Sequence, residues 1–245
     1  MDNCKLAEFL VSLGSLNGFS STLAETKRAL DFNDASILKS GPDDAIIFAD
    51  ALSGIRMIQS IGFSVDGIIA INKSFKSGGN EQPTLPGHLR NATYNVDDNI
   101  SVITDETTQD AYFPKEVITR EDLQDIVNEW NNSFQEGRDA WLVFARLSKL
   151  QAFQDGNKRT ALIAANAAFG SLDSQDYLLI PTTVSKQYIF TGYLMEFYTA
   201  KDTDSELQAF NKMMEQVNDS QLTKSVFENI PINIRAAKTK PFGSI

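Results

Sequence analysis

The chain has 245 residues, of which 42% are hydrophobic and 22% charged, and its formal net charge is −10. This length accommodates one large domain, or one domain with a small appendage. So acidic a balance argues against general binding of nucleic acid, which usually requires a basic face. Cys4 is the only cysteine, which excludes an internal disulfide and a cysteine metal cluster. No apolar run is long enough to span a membrane, and charges occur too early for a signal peptide, so we expect a cytoplasmic protein.

The first 40 residues are predicted to form an N-terminal helical segment, because an apolar stripe at helical spacing lies near the start. A second helix is expected over about residues 20–30. Ser21 is its predicted N-cap, and Glu25 is an acid close to its positive end. An ordinary helix start explains this pattern without any further role.

Two more helices are predicted between residues 41 and 76, and the polar run from Ser77 to Pro83 indicates a loop. Strand-forming residues on both sides of residues 97–99 then predict a β-hairpin over 93–104. His88, the only histidine of the chain, lies in the polar turn before this hairpin. The simplest interpretation of such a residue is a solvated side chain.

The most informative stretch is 140–169, which predicts a helix, a tight polar turn and a second helix. The turn is centred on Gly156, which is free to adopt a positive φ. The second helix is expected to begin at Lys158 or Arg159. It is rich in alanine, so it can pack closely against its neighbours and is predicted to be central.

The electrostatics of this turn are unusual. A helix N-terminus carries a partial positive charge and favours acids, yet this helix opens with the cations Lys158 and Arg159. A bound anion would make the same arrangement favourable. Asp155 just before the turn could then hold a divalent cation, since hard cations prefer carboxylate oxygens. The alternative is a helix corner with solvated charges.

Towards the C-terminus, helical spacing predicts helices over 188–198 and 205–217. We assign their aromatic, leucine and methionine residues, Leu207 among them, to the hydrophobic core. Residues 201–245 are expected to form a C-terminal helical extension and a tail, of which 230–245 would be loosely held.

Residues 151–161, QAFQDGNKRTA, resemble the signature loop of the Fic/Doc (Fido) family, whose pattern is His-x-Phe-x-Asp/Glu-Gly-Asn-Gly/Lys-Arg. The resemblance implies a mostly α fold, a Fic/Fido helical bundle with a small β-hairpin flap, with its core at about residues 41–200. It also implies that Phe153 anchors the loop and that Asp155 holds Mg²⁺. The residues that would hold nucleotide phosphates are Gly156, Asn157, Lys158 and Arg159.

Fic proteins typically transfer AMP from ATP to a hydroxyl group of a target protein, so the resemblance implies ATP, Mg²⁺ and a target protein as partners. Lys158 occupies the position of a lysine in the Doc branch, whose members transfer phosphate instead. The spacing of Ser21 and Glu25 matches a helix that obstructs the nucleotide site in this family. A flap at about residues 84–104 would clamp the target, with Gly87, His88, Leu89 and Arg90 at its opening.

Two positions depart from the family pattern. Gln151 stands where the family has its catalytic histidine, and Leu162 replaces a second arginine, the partner of the family's inhibitory glutamate. A neutral amide does not accept the proton of an attacking hydroxyl, and a general base is worth about 10²–10⁴ in rate. As a hypothesis, His88 supplies the missing base.

The sequence therefore leaves several functions open. The favoured one is an autoinhibited AMP transferase impaired by Gln151, whether that residue is natural or engineered. Lys158 favours a Doc-like protein kinase, whereas Gln151 and Leu162 favour a non-catalytic module that binds a nucleotide or a partner. A purely structural helical protein is the last alternative. The pattern does not separate a homodimer face from the core, and it identifies neither the target nor the base of the nucleotide.

Overall fold

Helices account for most of the chain in the computed structural model, which describes residues 3–76 and 83–217. The capping and turn residues that the sequence offers set most of their ends, as in the capping box that opens the helix at Arg120. The helices are α1 (Asn3–Gly14), α2 (Leu23–Phe32), α3 (Asp44–Ile61), α4 (Val65–Lys73), α5 (Arg120–Asn131), α6 (Gly137–Leu150), α7 (Asn157–Phe169), α8 (Ser171–Ser174), α9 (Val184–Thr199) and α10 (Thr203–Met214).

Helix α7 lies at the centre of the bundle, as the sequence predicts. It packs most extensively against α6, which precedes it, and also against α3 and α4. Its alanines allow this close approach, because Ala161, Ala164 and Ala165 are fully buried. The turn between α6 and α7 is therefore held by helices that have little freedom to move.

An aromatic cluster ties α6 to α9. Trp141 forms edge-to-face contacts with Phe144 and Phe190, each with ring centroids 5.5 Å apart. The prediction that 188–198 and 205–217 supply core residues is confirmed for most of their apolar side chains. It is wrong for Leu207 and Tyr188, which are 52% and 82% exposed.

The hairpin is displaced from its predicted position. Strands β1 (Val102–Asp105) and β2 (Asp110–Tyr112) pair antiparallel, so the connecting turn lies at residues 106–109. The predicted turn at 97–99 instead belongs to a 3-10 helix, Val96–Asp98, in which the Asn95 side chain accepts a hydrogen bond from the amide of Asp97. Side-chain bonds to the backbone compete with strand pairing in such segments.

The N-cap of α2 is Thr22, not Ser21 as predicted. The Thr22 hydroxyl accepts a bond from the amide of Glu25, and the Glu25 carboxylate accepts one from the amide of Thr22, which forms a capping box. The Ser21 hydroxyl is buried and donates to the Asp44 carboxylate at 2.5 Å. Ser21 and Thr22 could each have capped the helix. Because the Ser21 hydroxyl bonds to Asp44 at the start of α3, the cap is Thr22.

Two further predictions concern parts of the chain outside the described residues: most of the polar loop at 77–83, and the tail at 230–245. Within the described residues, none of the helices combines the length and the apolar character that crossing a membrane requires.

Candidate functional site

The candidate site is the loop between α6 and α7, in which two residues adopt the left-handed backbone conformation. Gln151 ends α6 with φ 49° and ψ 55°, and Gly156 precedes α7 with φ 74° and ψ 12°. Helix α7 begins at Asn157, just before the predicted start at Lys158 or Arg159. Phe153 is buried, which confirms its predicted role as an anchor of the loop.

The side chain of Asn157 holds the loop together from within. Its carbonyl oxygen accepts a bond from the amide of Phe153 at 2.9 Å, and its Nδ2 donates to the carbonyl of Phe153 at 2.7 Å. Nδ2 also donates to the side-chain oxygen of Gln151 at 3.2 Å. This side chain is therefore committed to the loop, although the resemblance implies that it binds phosphate.

Gln151, which the resemblance aligns with a catalytic histidine, is buried. Its Nε2 donates to the carbonyl of Ser148 at 2.6 Å, so both ends of the carboxamide are bonded within the protein. Tyr198 lies beside it. Burial raises the pKa of the Tyr198 hydroxyl, and the nearby side chains of Ser148 and Gln151 partly oppose this shift. The groups that contact the carboxamide are thus polar and uncharged.

Arg159 faces the interior. Its side chain is 0% exposed, its guanidinium lies 5.0 Å from the ring centroid of Phe75, and its Nη2 lies 3.7 Å from a carboxylate oxygen of Asp155. Asp155 is 35% exposed, and its other carboxylate oxygen accepts the amide of Gly156 at 2.5 Å. In this geometry Arg159 acts on the turn through Asp155, because burial keeps it from a ligand in solvent.

Lys158 lines an open cleft of about 830 Å³. Other walls of the cleft come from β1 and the turn after it, from one side of α9 between Val184 and Met195, and from Ser15 and Leu16 after α1. Of the four predicted phosphate-binding residues, Lys158 is the one whose side chain borders this space. The cleft extends from the start of α7 to the hairpin, so it brings together the two regions that the sequence singles out.

The close packing of Gly156 gives a prediction about stability. A Cβ at this position would lie 2.7 Å from the Phe75 ring, whereas a Cβ at Gly170, with a similar φ of 79°, would meet nothing within 4 Å. We expect Gly170→Ala to cost about 1–2 kcal/mol of unfolding free energy from backbone strain alone. Gly156→Ala should cost about 1–3 kcal/mol more because it overpacks the interior. Urea denaturation of both variants measures the difference, and equal costs would contradict this packing.

Arg90, which we expected to face a target, is instead a buried support of the loop. Its side chain is 1% exposed and donates to the carbonyls of Gln151 at 2.6 Å, Asp98 at 2.7 Å and Lys115 at 2.9 Å. Burial lowers the pKa of its guanidinium, and the Asp98 carboxylate opposes that effect. Arg90 therefore joins the signature loop to the segments on both sides of the hairpin.

His88 is paired, not simply solvated as predicted. Its Nε2 lies 2.8 Å from a carboxylate oxygen of the buried Asp98, which also accepts bonds from the amide of Asn91 and from Nε2 of Gln154. Burial raises the pKa of Asp98, but these three hydrogen-bond partners outweigh burial and lower it overall. Nothing in the sequence distinguishes Asp98 from its exposed neighbour Asp97. The role of His88 as a base stays a prediction.

The carboxylate of Glu25 accepts hydrogen bonds from residues close to it. Both oxygens lie within 3.3 Å of the Ser40 hydroxyl, and one also accepts from the amide and hydroxyl of Thr22. The bond from the Thr22 amide contributes most to lowering the pKa of this carboxyl. The inhibitory role of Glu25 stays a prediction, because these contacts are those of a helix cap.

Comparison with solved structures identifies the fold. A Fic domain-containing signalling protein from Bacteroides thetaiotaomicron aligns with a TM-score of 0.65 and 17% identity, covering 100% of this chain and 90% of that one. Fic-1 from C. elegans aligns with a TM-score of 0.62 and 18% identity, covering 96% of this chain and 64% of that one. Neither a protein-family model nor a curated protein sequence matches the chain.

The chain therefore has the fold of Fic domains, a helical bundle with a small two-stranded hairpin. This confirms the fold predicted from the signature loop. At 17–18% identity the similarity concerns the fold alone, and activity must be argued from the site.

Proposed function

We propose that this chain binds a nucleoside triphosphate with Mg²⁺ at residues 155–159, and that its reaction is transfer of AMP from ATP to a hydroxyl group of a target protein. One observation carries the proposal: the first turn of helix α7 holds a lysine that borders a large cleft, and the partly exposed carboxylate of Asp155 adjoins the same turn. The positive end of a helix favours a phosphate at this place.

The carboxylate near this turn would hold Mg²⁺ only together with phosphate oxygens. The described residues contain no group of three or more histidines, cysteines or carboxylates that would hold a metal alone. Mg²⁺ is commonly held by one or two carboxylates, with phosphate oxygens and waters completing its coordination. Asp155 supplies one such carboxylate, and bound Mg²⁺ would supply charge stabilisation at the phosphates.

The side chains of residues 157–159 would have different roles in binding the triphosphate. Lys158 borders the cleft and is placed to meet phosphate oxygens as a point charge. Arg159 holds the position of Asp155 from the interior, and Asn157 keeps the loop in its turn. These groups position the triphosphate, and positioning with electrostatic stabilisation is most of what phosphoryl-group chemistry requires.

Gln151 makes the proposed transferase slow. Its carboxamide is bonded to Ser148 and Asn157 and does not take a proton from an attacking hydroxyl. The chain is thus proposed as a nucleotide-binding Fic protein with impaired transfer. The target would enter beside the hairpin, where an extended segment can bind to a strand edge.

Two other functions have a specific observation in their favour. Lys158 at the Doc position favours attack at the γ-phosphate, as in a protein kinase. The buried, fully bonded carboxamide of Gln151 favours a non-catalytic module that binds nucleotide without turning it over.

The products that form slowly from ATP separate these functions without knowledge of the target. When water replaces the acceptor hydroxyl, attack at the α-phosphate yields AMP and pyrophosphate, whereas attack at the γ-phosphate yields ADP and phosphate. We expect AMP and pyrophosphate from long incubations with MgATP, measured by chromatography. The Asp155→Asn variant, which keeps the size of the side chain, is the control and should release less. ADP as the product would favour the kinase, and saturable binding without products would favour the non-catalytic module.

A further inference from the structure

The cleft next to Lys158 is bordered by a strand edge. Within the described residues the sheet has two strands, so β1 pairs with β2 on one side only. The whole of β1 lines the cleft, together with the turn residues Glu106 and Thr107. An unpaired strand edge can bind an extended segment through the main chain, which leaves the choice of partner to the side chains nearby.

Charge is distributed unevenly around this edge. Residues 91–114 contain five acids and no lysine, arginine or histidine, so they carry −5 of the chain's −10 in about a tenth of its length. Asp98 is buried, and the other four, Asp97, Asp105, Glu106 and Asp110, are exposed. Two of these, Asp105 and Glu106, line the cleft. Bonds from the amides of Thr108 and Thr107 lower the pKa of the Asp105 carboxyl.

The charge of the cleft lining therefore differs between its two ends. Its charged lining residues are Asp105 and Glu106 at the hairpin end and Lys158 at the end near α7. The lining also includes exposed apolar side chains, among which Ile103, Val184 and Tyr188 are 54%, 81% and 82% exposed. A triphosphate suits the end with Lys158, whereas the hairpin end repels anions and attracts cations.

We infer that the hairpin end of this cleft binds an extended segment of a partner protein in which lysine or arginine flanks the acceptor hydroxyl. The inference rests on the proposed function and adds the chemical class of the target. The main chain of the segment lies along β1, its apolar side chains contact Ile103 and Tyr188, and its basic side chains lie against Asp105 and Glu106. Complementary charge of this kind selects partners and speeds their encounter.

Fluorescence anisotropy with labelled peptides tests the inference without nucleotide. Three peptides of equal length share one threonine and the same apolar residues. The positions that flank the threonine carry arginine and lysine in the basic peptide, glutamine in the neutral one and glutamate in the acidic one. We expect the basic peptide to bind roughly tenfold more tightly than the neutral one, an effect at the low end of the coupling energies measured for close charge pairs across an interface. The acidic peptide should bind more weakly than either, and added salt should reduce the preference.

A pair of charge-neutralising variants locates the effect. Asp105→Asn/Glu106→Gln removes two charges from the cleft, and asparagine retains the oxygen that accepts the amide of Thr107. Asp125→Asn/Glu215→Gln removes two charges from exposed positions on α5 and at the end of α10. We expect the first variant to lose the preference for the basic peptide and the second to retain it. Equal losses in both would show attraction to an acidic protein in general, and would overturn the inference.

The remaining outcomes are also distinct. Equal binding of basic and neutral peptides, with MgATP binding intact by calorimetry, overturns this inference and leaves the proposed function standing. A preference for the basic peptide in a protein that binds no MgATP overturns the nucleotide proposal and leaves the docking surface. A second copy of the chain as the occupant would appear as a wild-type dimer that Asp105→Asn/Glu106→Gln dissociates, and would overturn the assignment to a basic partner.

Discussion

Gln151→His is expected to raise the rate of AMP transfer by about 10²–10⁴-fold, the usual contribution of a general base. The left-handed backbone of Gln151 places its side chain between Ser148, Asn157 and Tyr198, and an imidazole of similar size would occupy the same place. There it would accept the proton of the target hydroxyl as that oxygen attacks the α-phosphate. Transfer to the basic peptide, or release of AMP to water, measures the change.

Two controls separate this effect from others. Gln151→Ala removes the bonds of the carboxamide without adding a base, and should show no gain. His88→Ala in the wild-type background tests the other candidate base, and unchanged residual activity would dismiss it. If Gln151→His binds MgATP normally and still shows no gain, AMP transfer is removed from consideration.

Arg90→Met is expected to lower the free energy of unfolding by about 3–5 kcal/mol, the cost typical of breaking a buried charged network. Three carbonyls, those of Gln151, Asp98 and Lys115, would lose the donors that they have in the folded protein, and the first two of them are buried. Because one of these carbonyls belongs to the signature loop, we also expect MgATP binding to weaken. Urea denaturation gives the first quantity and calorimetry the second.

Arg120→Met is the matched control for this prediction. Arg120 pairs with Asp66 on the surface, with side chains 55% and 74% exposed, so its loss should cost less than about 1 kcal/mol. A similar cost for both variants would contradict the role of Arg90 as a buried support.

Local sequence predicts the turn of the site well, for a physical reason. A glycine and an asparagine between two apolar-periodic segments leave few conformations open to the backbone, and the alanines of α7 allow only a central position. The same residues do not reveal which side chains face solvent. Lys158 and Arg159 are adjacent cations, yet α7 turns the first towards the cleft and the second onto Phe75.

The errors near the hairpin have a common cause. Asp98 and Arg90 are charged residues in a polar stretch, and such residues are seldom fully buried. Their burial results from partners that are distant in sequence, namely Gln154 and the carbonyl of Gln151. The Asn95 side chain caps the 3-10 helix at residues 96–98 locally, and the distant contacts hold this segment against the signature loop. A pattern confined to neighbours in sequence does not contain this information.

Calorimetric titration with MgATP tests the central claim most directly. We expect saturable binding to the wild-type chain, with weaker binding after Lys158→Ala and after Asp155→Asn. Lys186→Ala is the matched control, because Lys186 is an exposed lysine on α9 that does not line this cleft, and it should bind as the wild type does. Absence of heat with the wild type, or equal affinity in all four proteins, would contradict a nucleotide site at the start of α7.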